Sequence, residues 1–549
     1  ECEDDPGPRF NGDLVCDWID DFNKQCGKLR DMDVVSGVRD KLLDTIMAYM
    51  NNFFCVVTHG GKATIIEEWM DTYIPPGEHK KVTKKMFIFR KDRDLEGLYR
   101  EFKSEIDGLD TRPVNILTRW LDSRKKKKYI RIEFDPSSTD GKNSHIFNMF
   151  RGLAISRDKA ESFLHENEDV NVLCKPILDH ILNIWCTKNK GLAEYLLDWM
   201  AHIVQKPWIK LGTTPVLRGG QGSGKGIIIQ MLGDILGQAH FSHATDMTQV
   251  VGRFQGDDIK TNLLTFLDEC TFSGDKPQSS ILKTLISEKT RKWEKKFLDP
   301  LHLRSFSNYI VASNYEKIVS VECDDRRFIC LEVDDRYSGP QKKESAAYFN
   351  SLLAVKIEHL AAFLYRRDLS QFNPKELPSS VYNVYQKIIN MDSVDTFIYE
   401  LIKHGKMRFR PESCDDRGRI KKKNLYNRYE EKCRSASYRF KHAATNESFY
   451  MRLRKVLPST VFKRGVVEFQ HIHKCKQDFA KYLKESIEHI DWGDDDEDAV
   501  VVQDQPQYQL KRDCFRSLMA EEAQTREEKR KEDLRLYEMK RKRDVFESP

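Results

Sequence analysis

The stretch Leu217-Arg218-Gly219-Gly220-Gln221-Gly222-Ser223-Gly224-Lys225-Gly226 constrains this chain more than any other feature. An apolar run, Pro215 to Leu217, leads into it, and a second apolar run, Ile227 to Leu236, leads out. A strand, a glycine-rich turn and a helix therefore follow one another, which is the context a phosphate-binding loop requires. Glycines let the backbone curl around an anion with successive N–H groups pointing inward, and the start of the helix adds its own free N–H groups. Lys225 supplies a point charge for the outer phosphates. One position departs from the pattern: the Ser or Thr that ordinarily follows the lysine, and whose hydroxyl holds magnesium, is Gly226 here. The expected cofactors are ATP, bound by Gly219, Gly220, Gln221, Gly222, Ser223, Gly224, Lys225 and Gly226, and Mg2+, for which a ligand has to come from elsewhere.

Three further elements follow at spacings that fit one compact sheet. Leu263 to Leu267 is an apolar strand ending in Asp268 and Glu269, 43 residues after Lys225. Acids at that strand end sit beside bound phosphates, where Asp268 can hold magnesium through water and Glu269 can orient or deprotonate the attacking water. Tyr309 to Ser313 is a second apolar strand, ending in Asn314, whose amide can sense a γ-phosphate or the lytic water. Arg326 and Arg327 then precede a third strand, Phe328 to Val333. Arginine there suits stabilisation of transition-state charge, commonly across a subunit boundary. Between the acids and the amide, Lys292, Lys295 and Lys296 flank Trp293 on an expected hairpin. Cations around an aromatic suit a single nucleic-acid strand, the cations meeting phosphate and the ring stacking on bases.

Taken together, these residues resemble the superfamily 3 helicases, and more closely the helicase part of the viral and mobile-element primase–helicases. The order of phosphate loop, acidic strand, basic hairpin, Ser-Asn strand and paired arginines is that family's arrangement. Phe147-Asn148-Met149-Phe150-Arg151-Gly152 and Leu197 to Pro207 extend the likeness upstream. The resemblance implies an α/β AAA-like P-loop ATPase that assembles as a homo-hexamer around single-stranded or forked DNA and unwinds duplex. It implies that Lys225 binds phosphate, Asp268 and Glu269 form the acidic motif, and Asn314 is the sensor. Lys295 or Lys296 would contact DNA, and Arg326 or Arg327 would be the arginine finger. No paired-acid primase site stands out in residues 1–140, so a primase–polymerase is expected as a partner, in cis or in trans.

The remaining chain divides by pattern. Residues 1–140 read as an α+β region containing a helix over 34–50 and a hairpin at His59-Gly60-Gly61-Lys62. Residues 141–210 read as helical, 211–370 as the ATPase, and 371–490 as helices plus a winged-helix-like DNA-binding unit. In that last unit two helices precede a hairpin turning at Lys463-Arg464-Gly465, and Arg452 and Arg454 are the expected DNA contacts. Residues 491–549 read as an acidic linker and a charged helical or disordered tail. His471 and His473 read as an ordinary strand end. The net charge of +5 is too small to establish a nucleic-acid partner by itself, so the clustered cations carry that expectation. Thirteen cysteines without a C-x-x-C pair point to a reducing compartment, cytoplasm or nucleus, and no apolar run approaches a membrane span. A start at Glu1 rather than Met suggests that an upstream portion precedes it. Two other classes compete with the helicase: a nucleotide-dependent initiator scaffold with little turnover, which Gly226 favours, and a ring ATPase that packages DNA or acts on protein.

Overall fold

A computed structural model of the 549-residue chain describes residues 9–26, 32–59, 62–73, 82–137, 145–150, 152–166, 168–245, 250, 261–269, 276–293, 301–316, 318–323, 325–338, 343–403, 419–435 and 442–492. The N-terminal part pairs helices Gly12–Cys26 (α1) and Met32–Met50 (α2) with strands Phe54–His59 (β1), Lys62–Tyr73 (β2), Val82–Arg90 (β3) and Lys128–Tyr129 (β4), in the sheet order β3-β2-β1-β4. Val15, Ile19 and Phe22 of α1, and Ile46 and Met50 of α2, recur at helical spacing and form one buried cluster with Trp120. The expected hairpin is present, with His59 paired to Lys62 across Gly60-Gly61.

The central sheet follows helix Lys190–Gln205 (α3), which the Asn189 side chain caps by accepting from the Leu192 N–H. Strand Thr214–Arg218 (β5) leads into helix Lys225–Leu236 (α4); Phe241–Ala244 (β6) and Leu264–Asp268 (β7) follow. Helix Lys276–Ser287 (α5) and the hairpin Thr290–Trp293 (β8) with Leu301–Arg304 (β9) precede Asn308–Ser313 (β10) and Phe328–Glu332 (β11). The five parallel strands lie in the order β6-β7-β10-β5-β11. They are apolar along almost their whole length because helices cover both faces. Leu217, Ala312 and Leu331 face α3 and α4, whereas Val216, Val311 and Cys330 face Leu282 and Ile286 of α5.

Helices Lys343–Leu353 (α6), Ile357–Arg366 (α7) and Val381–Ile389 (α8) complete the core. Beyond them, helix Ser393–Lys403 (α9), strand Arg419–Lys421 (β12), helices Lys422–Arg434 (α10) and Asn446–Val456 (α11), and strands Val461–Lys463 (β13) and Val466–Glu468 (β14) build a small antiparallel sheet in the order β12-β14-β13. Thr445 caps α11 by accepting from the Ser448 N–H. Two differences from the sequence patterns stand out here. The strand β12 is only three residues long, too short to register as a pattern. Residues 472–475 begin helix Ile472–Leu483 (α12) rather than ending a strand, and His471 is its N-cap, accepting from the His473 N–H at 3.3 Å. The alternating His-Ile-His masked a helical series, Cys475, Phe479 and Leu483, that is buried every fourth residue.

Strands Arg131–Glu133 and Ile146–Asn148 pair across residue 140, and one apolar cluster runs from Cys55 to Leu369. Residues up to Asp491 accordingly pack as one compact unit. The expected acidic linker and charged tail lie outside the described residues. Among those described, nine cysteines are free thiols, and no helix is long and apolar enough to cross a membrane.

Candidate nucleotide-binding site

Parallel register brings four separately encoded elements to one sheet edge. Leu217 pairs with Ala312, Arg218 with Ser313, and Asp268 with Ala312, so β5, β7 and β10 end level with one another. Loop backbone then stitches the ends together. Gly219 N–H donates to Ser313 O at 3.2 Å, Glu269 N–H to Ala312 O at 2.9 Å, and Val333 N–H to Arg218 O at 2.7 Å. Arg218 and Glu332 close the far side at 2.6 Å. Gly219 to Lys225, Asp268, Glu269, Ser313 and Asn314 are thus gathered at the carboxyl ends of the strands, where open parallel sheets bind ligands.

The glycine-rich loop curls tightly at the start of α4. Gly224 has φ +82°, and a Cβ there would lie 2.8 Å from both His180 and Phe349, so only glycine fits. Gly220 N–H donates to the Asp335 carboxylate at 2.7 Å, showing that the loop backbone presents N–H groups to a negative charge. The Lys225 ammonium is folded back onto the loop, donating to Gly219 O and Gly220 O at 2.7 Å each and to Ser223 Oγ at 3.3 Å. Burial lowers its pKa below the ordinary lysine value, while Glu269 and Asp268 pull it up. A nucleotide phosphate fits this arrangement, because the same amine and N–H groups can exchange internal acceptors for phosphate oxygens.

The acidic strand end sets one carboxylate beside a histidine, and among the described residues no group of three or more His, Cys, Asp or Glu gathers as a metal site. Asp268 is one-third exposed at the edge, 3.4 Å from His243 Nε2 on the adjoining strand β6. The His243 ring stacks on Phe266 at 4.8 Å, which aims it along the strand toward the carboxylate. Sequence patterns missed this histidine; the only signal is its place near the end of a short strand. Glu269 is exposed and adopts φ +57°, a left-handed conformation that costs a non-glycine residue roughly 1 kcal/mol and turns its side chain out of the strand direction. At Gly226 a Cβ would stand 3.9 Å from Phe266, in ordinary contact, so the missing hydroxyl reflects the residue and not a lack of room. Asp268 with retained waters suits Mg2+, which commonly keeps several.

Behind the loop, the segment Lys175–His180 passes into a π-helical turn, Ile181–Trp185, whose Ile184 O accepts from Asp334 N–H at 2.8 Å. Such turns recur at functional sites. His180 is wholly buried against Gly224, its Nδ1 within 2.9 Å of the Tyr348 hydroxyl, and burial holds its pKa down at about 4.

The two arginines separate in role. Arg327 donates from Nε to Ser287 Oγ at 2.8 Å and lies 3.5 Å from Asp325, a carboxylate that Lys283 also approaches at 3.4 Å. Arg326 is exposed and makes no ion pair among the described residues. Trp293 and Lys292 lie on β8, with their side chains outside the description, and Lys295 and Lys296 lie outside the described residues. The hairpin's foot is firmly set: Lys210 Nζ donates to Leu285 O at 2.6 Å and Glu288 O at 2.8 Å, and Arg291 donates to the Tyr309 hydroxyl at 3.3 Å.

In the C-terminal segment, Arg452 does not face outward as expected. Its guanidinium grips the buried Asp395 carboxylate through two hydrogen bonds of 2.7 Å and stands over the Tyr482 ring. A cation two residues from Arg454 looks solvent-directed in sequence; here it is turned inward by an acid from another helix. Arg454 remains exposed, 4.6 Å above the Phe462 ring, beside the exposed Lys463 and Arg464.

Comparison with known proteins places this geometry. A family of unknown function, DUF5906, matches residues 217–327, from the strand before the phosphate loop to the second arginine. The DNA primase-polymerase of Nitratiruptor phage NrS-1 is 27% identical over 158 residues, covering 28% of this chain and 21% of that protein. The chain is therefore homologous over that stretch to a viral primase-polymerase, and it matches about a fifth of that relative's length. An apo structure of the NrS-1 C-terminal region, in its A form, superposes with a TM-score of 0.50 at 17% identity, covering 69% of this chain and 88% of the other. A second apo structure of that region gives 0.49 at 16% identity over 73% and 95%.

Proposed function

We propose that this chain is an ATP-dependent DNA helicase of viral or mobile-element replication, with an AAA-like P-loop core and a winged-helix-like C-terminal segment. The observation that carries the proposal is the meeting of Lys225, Asp268, Glu269 and Asn314 at one sheet edge, with β10 inserted between the loop-bearing strand and the acid-bearing strand. The kinship with a phage primase-polymerase supports a role in phage DNA replication.

In this reading the loop N–H groups and Lys225 hold the phosphates of ATP, and Asp268, steadied by His243, holds Mg2+ with water. Bound Mg2+ would neutralise developing phosphate charge. Glu269, free to reach outward, orients and deprotonates the attacking water, and the Asn314 amide fixes that water or the γ-phosphate. Arg326, exposed and without an ion pair among the described residues, suits a finger supplied to the next subunit of a hexameric ring. Arg327 instead braces the loop that carries it. The β8–β9 hairpin, with Lys292, Trp293, Lys295 and Lys296, follows single-stranded DNA. Arg454, Lys463 and Arg464 offer cations to duplex phosphates.

The test is unwinding of a forked duplex with ATP and Mg2+. Lys225→Ala should reduce DNA-stimulated hydrolysis by about 10²-fold or more, the scale for removing one charged group from a phosphate-transfer site. A second reading, an initiator scaffold that binds nucleotide with little turnover, is favoured by Gly226. Steady-state hydrolysis well above background excludes it.

A further inference from the structure

The loop 314–327 joins β10 to β11 and carries Asn314 at its start and Arg326 near its end. Both polar groups assigned above to the nucleotide therefore depend on how this one loop is seated. Its Ile318, Val319 and Val321 pack into the cluster on the α5 face of the sheet, and its backbone is held by α8. Gln386 Nε2 of α8 donates to Glu316 O at 2.7 Å and to the Tyr382 hydroxyl at 2.9 Å, and Asn390 Nδ2 donates to Val319 O at 3.1 Å. The adjoining face of α8 is fastened to the end of α12. Lys387 Nζ donates to Leu483 O at 2.9 Å and to the Glu485 carboxylate at 2.7 Å, and both side chains of that pair are almost fully buried.

A second strut reaches the other half of the loop. The Tyr482 hydroxyl of α12 lies close enough to Cys323, three residues before Arg326, to lower the thiol pKa that burial raises to about 11. It also donates at 2.8 Å to Asp395, the carboxylate that grips Arg452 of α11. An exposed ion pair would be too weak to fix geometry. Gln386, Lys387, Glu485 and Asp395 are buried and hydrogen-bonded, and Tyr482 and Cys323 are half-buried, so a shift of α11 or α12 is carried to the loop through contacts largely shielded from solvent.

We infer that the C-terminal segment regulates the nucleotide edge: DNA held by α11 and the β13–β14 hairpin resets loop 314–327 through Tyr482 and through Lys387–Glu485, and so places Asn314 and Arg326. Tyr482 and Lys387 are positioning residues in this scheme, which rests on the proposed ATPase function. The physical warrant is a continuous path of packed and hydrogen-bonded side chains joining the two sites, so that each end biases the other.

The experiment compares the full chain with Tyr482→Phe, Lys387→Met and the conservative Lys387→Arg, using a defined forked DNA as probe. Three quantities are read: DNA affinity, hydrolysis with and without DNA, and amide hydrogen exchange across 314–327. Tyr482→Phe and Lys387→Met should leave DNA affinity and basal hydrolysis within about twofold while cutting DNA stimulation about fivefold or more, the lower range of measured couplings. Lys387→Arg should restore most of it. DNA should protect 314–327 in the parent protein and not in Tyr482→Phe. Stimulation and protection surviving in Tyr482→Phe overturn the inference, even if Lys387→Met proves too unstable to assay. If the parent hydrolyses no ATP, the functional proposal falls, and the exchange data alone decide the coupling: loop protection by DNA that depends on Tyr482 sustains it, and its absence ends it.

Discussion

The nucleotide edge and the C-terminal segment both set cations beside acids, and they use them in opposite ways. At the edge, Lys225 and Asp268 are kept by backbone register at the rim of a sheet, with partners they can exchange for a ligand. In the C-terminal segment, Arg452 is locked to a buried carboxylate and Arg454, two residues on, is left to solvent. The arginines before β11 repeat the contrast within two residues, Arg327 braced and Arg326 free of ion pairs among the described residues. Residue type alone does not distinguish a braced cation from a solvent-directed one; the partner that the fold brings to it does.

The sharpest way to break this comparison is at the arginine pair. Arg326→Ala should leave thermal stability unchanged and lower hydrolysis by about 10³-fold if it serves as a finger. Arg327→Ala should lower stability by about 2 kcal/mol, since it frees Ser287 and half-strips the buried Asp325. Unfolding curves and steady-state kinetics on the two variants separate the roles, and a reversal of the pattern would mean that the free arginine is decoration.

The same split can be pressed in the C-terminal segment. Arg452→Ala strands Asp395, whose side chain is fully buried, and should destabilise by about 3 kcal/mol. Arg454→Ala should leave stability within about 0.5 kcal/mol and reduce the slope of DNA affinity against salt by about 1, the mark of one lost phosphate contact. Equal salt slopes for the two variants would erase the distinction.

How much of this was legible beforehand follows from what each feature depends on. The phosphate loop, the acidic strand and the Ser-Asn strand are local patterns: apolar runs that end in particular residues. A parallel sheet buried on both faces converts them directly into strands. The hairpin at Gly60-Gly61 was legible for the same reason. The His243–Asp268 contact, the burial of Arg452 and the seating of loop 314–327 on α8 join residues 25 to 70 positions apart, and no local period records them. The misread strand at His471 shows the converse, a two-residue alternation outweighing a helical series that becomes visible only once Phe479 and Leu483 are counted.

Acidity tests the edge as a packed body. His180, His202 and His240 are buried, and desolvation holds each pKa at about 4 against an ordinary 6.5. Above pH 6.5 these groups are neutral in both states and contribute nothing to pH dependence. As pH falls from 6.5 toward 4 the unfolded chain takes up protons that the native core refuses, so stability is lost over that window, up to about 3 kcal/mol for each histidine. Urea unfolding between pH 7 and 4.5 should show a steep decline equivalent to about three protons. A flat profile would mean that these rings are not sealed in the core.

The smallest expected effect bears on the one residue that departs from the phosphate-loop pattern. Gly226 lies in the first turn of α4, with room for a Cβ 3.9 Å from Phe266. Gly226→Ser should therefore fold normally and gain about 0.5 kcal/mol from helix propensity alone. Its new hydroxyl would stand next to Lys225, on the same rim as Asp268. If magnesium is held there by Asp268 and water, a further oxygen ligand should lower the Mg2+ concentration for half-maximal hydrolysis by roughly threefold, with little change in nucleotide affinity measured without metal. A titration that shifts in the presence of metal ties the acidic strand to the loop as one site. One that does not shift, in a variant with the expected gain in stability, separates them: the metal then sits with Asp268 away from the helix start, and the edge is two sites joined only by the sheet.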